Sequence, residues 1–222
     1  MQQIPLDIGL ARTPELAHFL PGPNAAALAQ VQAWLAHTGD NPVPLYLWGE
    51  ASSGKSYLLR AAQHALAARG LKMGWMDSAS RAQDFDESWS AVFLDEVQHY
   101  DAAQQQQAFS WLAQARALHL PVLAAGDAPP MALDLREDLR NRLGWGLVQA
   151  LQVLSEEQTR AVLRQEADAR GIGLGEEVLD FMLRHFSRDL ASLMELLEHI
   201  DGYALYAKRA VTVPLIKAML LE

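Results

Sequence analysis

The sequence predicts an α/β fold, a parallel sheet flanked by helices, followed by a small all-helical domain. Short apolar runs of strand length alternate with longer capped segments of helix length up to about residue 152. A glycine-rich loop joins the first apolar run to the segment behind it, and from Ser155 onward the strand-like runs cease.

The elements follow in order. Asn24 stands where a helix N-cap belongs and predicts a helix to about His37, which Asn41-Pro42-Val43-Pro44 breaks. Leu45-Tyr46-Leu47-Trp48 is the first strand. The helix after the glycine-rich loop ends at Gly70, and residues 71–76 form a second strand. Ala91-Val92-Phe93-Leu94 is a third. Asp101 with Gln104 has the pattern of a capping box, opening a helix through Leu118 on which Phe109 and Leu112 mark one apolar face. Residues 121–125 make a fourth strand and residues 147–151 a fifth. Ser155 and Gln158 then repeat the capping-box pattern, and residues 171–175 separate two helices. Leu190, Leu193, Leu197 and Ile200 share a face of a third, and Thr212 ahead of Pro214 opens the last. Strands alternating with helices place a ligand at the carboxyl ends of the strands.

Composition bounds the function. The 222 residues, half of them hydrophobic, suffice for a large domain with a small partner. Without cysteine there are neither disulfides nor thiolate metal sites. The sequence shows no signal peptide and no apolar run near the roughly 20 residues of a membrane span, so a cytoplasmic location is expected. Lys and Arg total 18 against 27 Asp and Glu, a formal charge of −9. That balance disfavours a broad nucleic-acid face, so any role on DNA would run mainly through another protein. The seven histidines show no metal-pair spacing and read as surface or core residues.

Two strings carry chemistry. Gly49-Glu50-Ala51-Ser52-Ser53-Gly54-Lys55-Ser56 between a strand and a helix is a phosphate-binding loop. Its backbone N–H groups, including that of Ser53, and the helix N-terminus face an anion. Lys55 reaches the β- and γ-phosphates, and the Ser56 hydroxyl ligates Mg²⁺. The third strand ends in Asp95 and Glu96. Asp95 is placed to hold the Mg²⁺ shell, and Glu96 to orient or deprotonate an attacking water.

Together these features resemble an AAA+ nucleotide-binding module. Arg140-Asn141-Arg142-Leu143-Gly144-Trp145-Gly146-Leu147 is similar to the Arg-Phe-Gly-Trp-Gly-Leu segment of the DnaA family, with Leu143 for Phe. Phe19-Leu20-Pro21-Gly22-Pro23-Asn24 is similar to the entry of that family's nucleotide domain. The chain ends after its helical lid, where DnaA would continue into a DNA-binding domain, and this resembles the Hda-type regulatory inactivators of DnaA. The domains expected are a clamp-binding peptide over 1–8, an AAA+ nucleotide domain over 9–152 and a lid over 153–222.

The resemblance implies roles residue by residue. Gln3-Ile4-Pro5-Leu6-Asp7-Ile8 is similar to the family's peptide for the sliding clamp, the β subunit of DNA polymerase III. Ile4, Leu6 and Ile8 would fill an apolar groove while the Gln3 amide makes a specific hydrogen bond. Arg142 matches an arginine finger that meets the γ-phosphate held by a neighbour; read from the residues alone, it is a surface arginine pairing with Asp138. Arg188 matches the lid arginine that contacts the protein's own nucleotide, and Asp127 the polar sensor after the fourth strand. The cofactors implied are ADP or ATP with Mg²⁺, and the partners are DnaA, the clamp and a possible second copy of the chain. Ser52 stands where many relatives carry glycine, which leaves the backbone there less free to take positive φ. Two functions remain open. One is an adaptor that stimulates ATP hydrolysis by DnaA in trans and so prevents re-initiation of replication; the other is a self-acting ATPase or helicase loader.

Overall fold

Period-two alternation in three short strands builds this protein's main unit. The computed structural model describes residues 14–37, 41–81, 83–186 and 190–221, which form an α/β unit, Thr13–Val153, and a helical unit from Leu154. The strands are β1 (Leu45–Trp48), β2 (Met73–Met76), β3 (Ala91–Leu94), β4 (Val122–Gly126) and β5 (Leu147–Ala150). They form one parallel sheet in the order β2-β3-β4-β1-β5. Successive strand side chains point to opposite faces. Leu45, Leu47, Ala91, Phe93, Leu123 and Ala125 therefore enter one apolar cluster and Tyr46, Val92, Leu94, Val122 and Ala124 the other. Burial on both faces is why these strands read as continuous apolar runs.

Each face is covered by helices. The first cluster packs against α1 (Ala25–Ala36) and α2 (Lys55–Ala67) through Val31, Trp34, Leu58 and Leu59. The second packs against α3 (Ala102–Ala117) and α4 (Glu137–Leu143) through Ala108, Trp111, Leu139 and Leu143. The buried face of α3 runs through Gln104, Ala108, Trp111, Leu112 and Ala115; Phe109 is only half-buried at its flank. The capping boxes at Asp101–Gln104 and Ser155–Gln158 form as the sequence pattern implies, and Thr212 caps its helix through the Leu215 N–H. The short helix α4 was not foreseen, because its seven residues are too few to show periodicity.

Asn24 marks the start of α1 without capping it by its side chain. That amide is instead buried, donating to the Gln152 carbonyl at 2.8 Å and accepting from the Gln152 N–H at 2.8 Å. It ties the chain's entry into the α/β unit to the segment leaving β5.

The helical unit contains α5 (Glu156–Ala169), α6 (Glu176–His185), α7 (Leu190–Ala207) and α8 (Val213–Met219). Its core gathers Leu163, Leu179, Met182, Leu193, Leu197, Ile200 and Ile216, so Leu193, Leu197 and Ile200 of the expected face are fully buried. Among the described residues no helix is long and apolar enough to cross a membrane.

Asn24→Ala should lower stability by about 1–2 kcal/mol, since it leaves two backbone groups of Gln152 without their partner. Urea denaturation monitored by circular dichroism measures this, and an unchanged midpoint would show that water replaces the amide without cost.

Candidate functional site

The strand order reverses about β1, and the glycine-rich loop leaves the carboxyl end of that strand. Such a switch point is where open parallel sheets bind ligands. Two contacts fix the loop's start: the Gly49 N–H donates to the Gly126 carbonyl at 3.3 Å, and the Leu151 N–H donates to the Trp48 carbonyl at 2.7 Å. A Cβ at Gly49 would lie 2.2 Å from the Leu151 oxygen, so only glycine passes there. At the loop's far end Gly54 has φ +95°, and its Cα faces the Phe19 ring. The entry segment thus packs on the loop, as Phe19 also approaches Tyr57 at 6.0 Å between ring centroids.

Ser52 takes φ +63° despite its Cβ. The left-handed conformation expected of a glycine is therefore kept by a serine, at a cost of roughly 1–2 kcal/mol. The helix that follows, α2, has neither a side-chain cap nor an acidic residue in its first turn. Its N-terminal donors and the positive end of its dipole are thus left for an anion.

The Lys55 ammonium lies within the loop, donating to the Gly49 and Glu50 carbonyls, both at 2.7 Å, and to Ser53 Oγ at 3.3 Å. Burial lowers its pKa, while the charges of Asp95, Asp127 and Glu96 act to raise it. Four sequence-predicted site residues therefore share one electrostatic environment. Asp95 is 3% exposed, and its carboxylate accepts from the Ser56 hydroxyl and, at 3.0 Å, from the Glu96 N–H. A lysine, a serine hydroxyl and a buried carboxylate at a helix N-terminus fit a phosphate chain with a hard divalent cation.

Three neighbours were not legible as site residues. Ser78, just past β2, donates its hydroxyl to Glu96 Oε2 at 2.6 Å, and Glu96 itself sits at φ +53°. Gln104 holds the backbone behind Ser78: its amide nitrogen meets the carbonyls of Asp77, Ser78 and Ser80 at 3.2, 3.3 and 3.1 Å. The sequence showed Gln104 only as the far half of a capping box; its position one turn before Ala108 on the buried face was the missed signal. Tyr46 donates to the Ala128 carbonyl at 2.9 Å and so steadies the turn carrying Asp127, which is exposed.

Arg142 lies elsewhere. It lies in the last turn of α4, shortly before Leu147, which pairs with Leu45 at the start of β1. It is thus at the amino edge of a parallel sheet whose carboxyl edge carries Lys55, roughly 13 Å of strand away. Its guanidinium rests over Phe109 at 4.1 Å and Trp145 at 5.1 Å from the ring centroids. The expected surface pairing with Asp138 does not occur: Asp138 binds Arg136 at 2.6 Å and accepts from the Leu139 N–H. Among the described residues Arg142 has no carboxylate partner. Arg188 and the peptide residues Gln3, Ile4, Leu6 and Ile8 lie outside the described residues.

Burial pushes the Asp95 carboxyl above its ordinary value, against the opposing pull of Ser56 and the Glu96 N–H. The native state then binds that proton more tightly than the unfolded chain, so stability falls as pH rises through the range just above the ordinary carboxylate value. Asp95→Asn should therefore melt higher than the wild type at pH 7.5 in the absence of nucleotide. The gap should close as pH falls toward 4. A lower-melting variant at pH 7.5 would mean that attraction to Lys55 outweighs desolvation.

Comparison with known proteins bears on the fold and on the helical unit. Residues 156–220 match the family described as Hda, lid domain. Domain III of the replication initiation protein DnaA from Thermotoga maritima is similar at 19% identity and a TM-score of 0.69, over 94% of this chain and 95% of that one. AMPPCP-bound DnaA from Aquifex aeolicus is similar at 19% identity and 0.69, over 86% of this chain and 66% of that one. The Thermotoga maritima RuvB Holliday junction branch migration motor is similar at 13% identity and 0.60, over 95% and 72%. These likenesses show the fold.

Proposed function

We propose that this chain, whose residues 156–220 match the Hda lid family and whose fold is similar to that of DnaA domain III, is a nucleotide-bound regulator of replication initiation that stimulates ATP hydrolysis by DnaA in trans. The observation that carries this reading is the position of Arg142, a guanidinium with no carboxylate partner among the described residues, at the sheet edge opposite the chain's own phosphate loop. An arginine there is out of reach of Lys55 and faces whatever packs on that edge. Its planar fork would meet charge developing on a γ-phosphoryl group held by DnaA, a contribution worth about 10³ to 10⁵ in rate for such fingers.

In this reading the chain's own site binds ADP or ATP for assembly. Gly49, Ser53, Gly54 and Lys55 would cradle the phosphates, and Ser56 with Asp95 would hold Mg²⁺. Asp127 and Arg188 would sense the nucleotide from the sheet and from the lid. Gln3, Ile4, Leu6 and Ile8 would tether the protein to the DNA-loaded sliding clamp, so that DnaA is met only after replication has begun. DNA is then contacted mainly through the clamp.

A second reading, a self-acting ATPase, is favoured by one contact. Glu96, the residue positioned to activate water, is held by Ser78 beside the phosphate loop. In that case Glu96→Gln removes the main activity, with no DnaA required.

Arg142→Ala should keep the fold and ADP binding while losing stimulation of ATP hydrolysis by DnaA at least a hundredfold, and Arg142→Lys should restore little of it. The assay follows the nucleotide on ATP-loaded DnaA with and without this protein, clamp and DNA. Full stimulation by Arg142→Ala would overturn the adaptor mechanism.

Changing Gln3 and Leu6 together to Ala should abolish clamp binding in surface plasmon resonance and leave the melting temperature within a degree or so, since a short terminal peptide adds little to the core. Unaltered binding would place the tether elsewhere.

A further inference from the structure

The amino edge of the sheet holds a cavity of about 390 Å³ among Pro42, Pro44, Arg116, His119, Arg142 and Trp145. Its size suits a small organic molecule. No Asp or Glu is among the described residues that line it, although the chain carries a formal charge of −9. Two guanidiniums meet there: Arg116 rests over Trp145 at 4.3 Å, and Arg142 over the same ring at 5.1 Å. Among the described residues neither has a carboxylate partner.

The mode of contact matters chemically. A guanidinium stacked on an aromatic ring uses its face and leaves its in-plane N–H groups free, the groups that bind carboxylate or phosphate bidentately. Trp145 remains 51% exposed and continues an apolar wall with the two prolines. On the rim, His119 takes φ +54° and its Nδ1 lies 3.0 Å from Asn41 Oδ1, which joins the end of α3 to the segment before β1. The lining thus combines apolar surface from Trp145 and the two prolines with the two guanidiniums held against Trp145.

We propose that this cavity binds a small planar aromatic anion, its ring along Pro42, Pro44 and Trp145 and its charged group on the Arg116 and Arg142 guanidiniums. The bound anion holds Arg142 in the cavity wall and so withdraws it from a neighbour. That regulatory consequence rests on the role proposed above for Arg142; binding itself does not.

The test uses the full chain saturated with ADP, so that the phosphate loop is filled, with 2-naphthoate as the probe. The Trp145 indole N–H resonance, identified by its loss in Trp145→Phe, should shift saturably. Its neutral isostere 2-naphthylmethanol should bind at least about tenfold more weakly, and so should 2-naphthoate to Arg116→Gln, because the first lacks the charge and the second lacks one of the two guanidiniums. Acetate, an anion without a ring, should not saturate the shift. Equal binding of the neutral isostere, undiminished binding to Arg116→Gln or an unmoved Trp145 resonance would each overturn the site. In the DnaA assay 2-naphthoate should reduce stimulation by the wild type and spare Arg116→Gln; inhibition of both alike would overturn the regulatory link. If Arg142→Ala proves fully stimulatory while 2-naphthoate still shifts Trp145, the reading of Arg142 fails and the anion site stands.

Discussion

The close approach of backbone at Gly49 is the constraint on which the rest of the site depends. At that residue β1 must end, accept β5's exit within contact of its Cα and turn into the loop that begins α2. Any side chain would push Leu151 away, and with it the Gln152 groups that Asn24 grips. The loop's conformation, the entry of α1 and the placement of the outermost strand are thus coupled through one missing methyl group. The polar residues follow from this geometry. Lys55 can gather two loop carbonyls because Gly54 and Ser52 bend the backbone left-handed around it, and Ser56 then meets the carboxylate that β3 delivers.

Much of this was legible because it is local. The phosphate loop, the acidic end of β3 and both capping boxes depend on residues within a few positions of one another, where spacing decides the geometry. Strand edges shifted by one or two residues, since pairing with a neighbour sets them: β2 begins at Met73 because Ala91 opposite begins β3. What stayed hidden depends on long-range contact. Asn24 has the composition of a cap and serves as a clamp on Gln152, a partner 128 positions away. Gln104 serves a cap and three carbonyls from another segment at once. The aromatic shelf under Arg142 joins α3 to the loop after α4, and no sequence period relates Phe109 to Trp145.

Ser52 and Asp95 illustrate how the site holds strain and charge together. A positive φ at a serine and a carboxyl disfavoured in its ionised form both act against the folded state, and both lie within the loop's reach. Such costs persist where the surrounding structure over-determines them. Here the surrounding structure is a sheet buried on both faces, with Leu47, Phe93 and Ala125 fully enclosed beneath the site. A phosphate chain with its cation would relieve part of the cost by giving Lys55 and Asp95 opposite charges to face, so ligand binding and stability are linked in the same residues.

The parallel sheet also separates two kinds of chemistry by construction. Parallel strands have distinct ends: the carboxyl edge collects loops that follow strands, and the amino edge collects segments that precede them. Lys55, Asp95, Glu96 and Asp127 all follow strands, whereas Arg116 and Arg142 both precede them. No side-chain motion moves Arg142 across roughly 13 Å of packed sheet. An arginine kept over aromatic rings at the amino edge therefore meets a phosphate loop only when a second molecule brings its carboxyl edge alongside. On the role proposed for Arg142, that requirement would tie activity to assembly at the surface around Arg142 and Trp145.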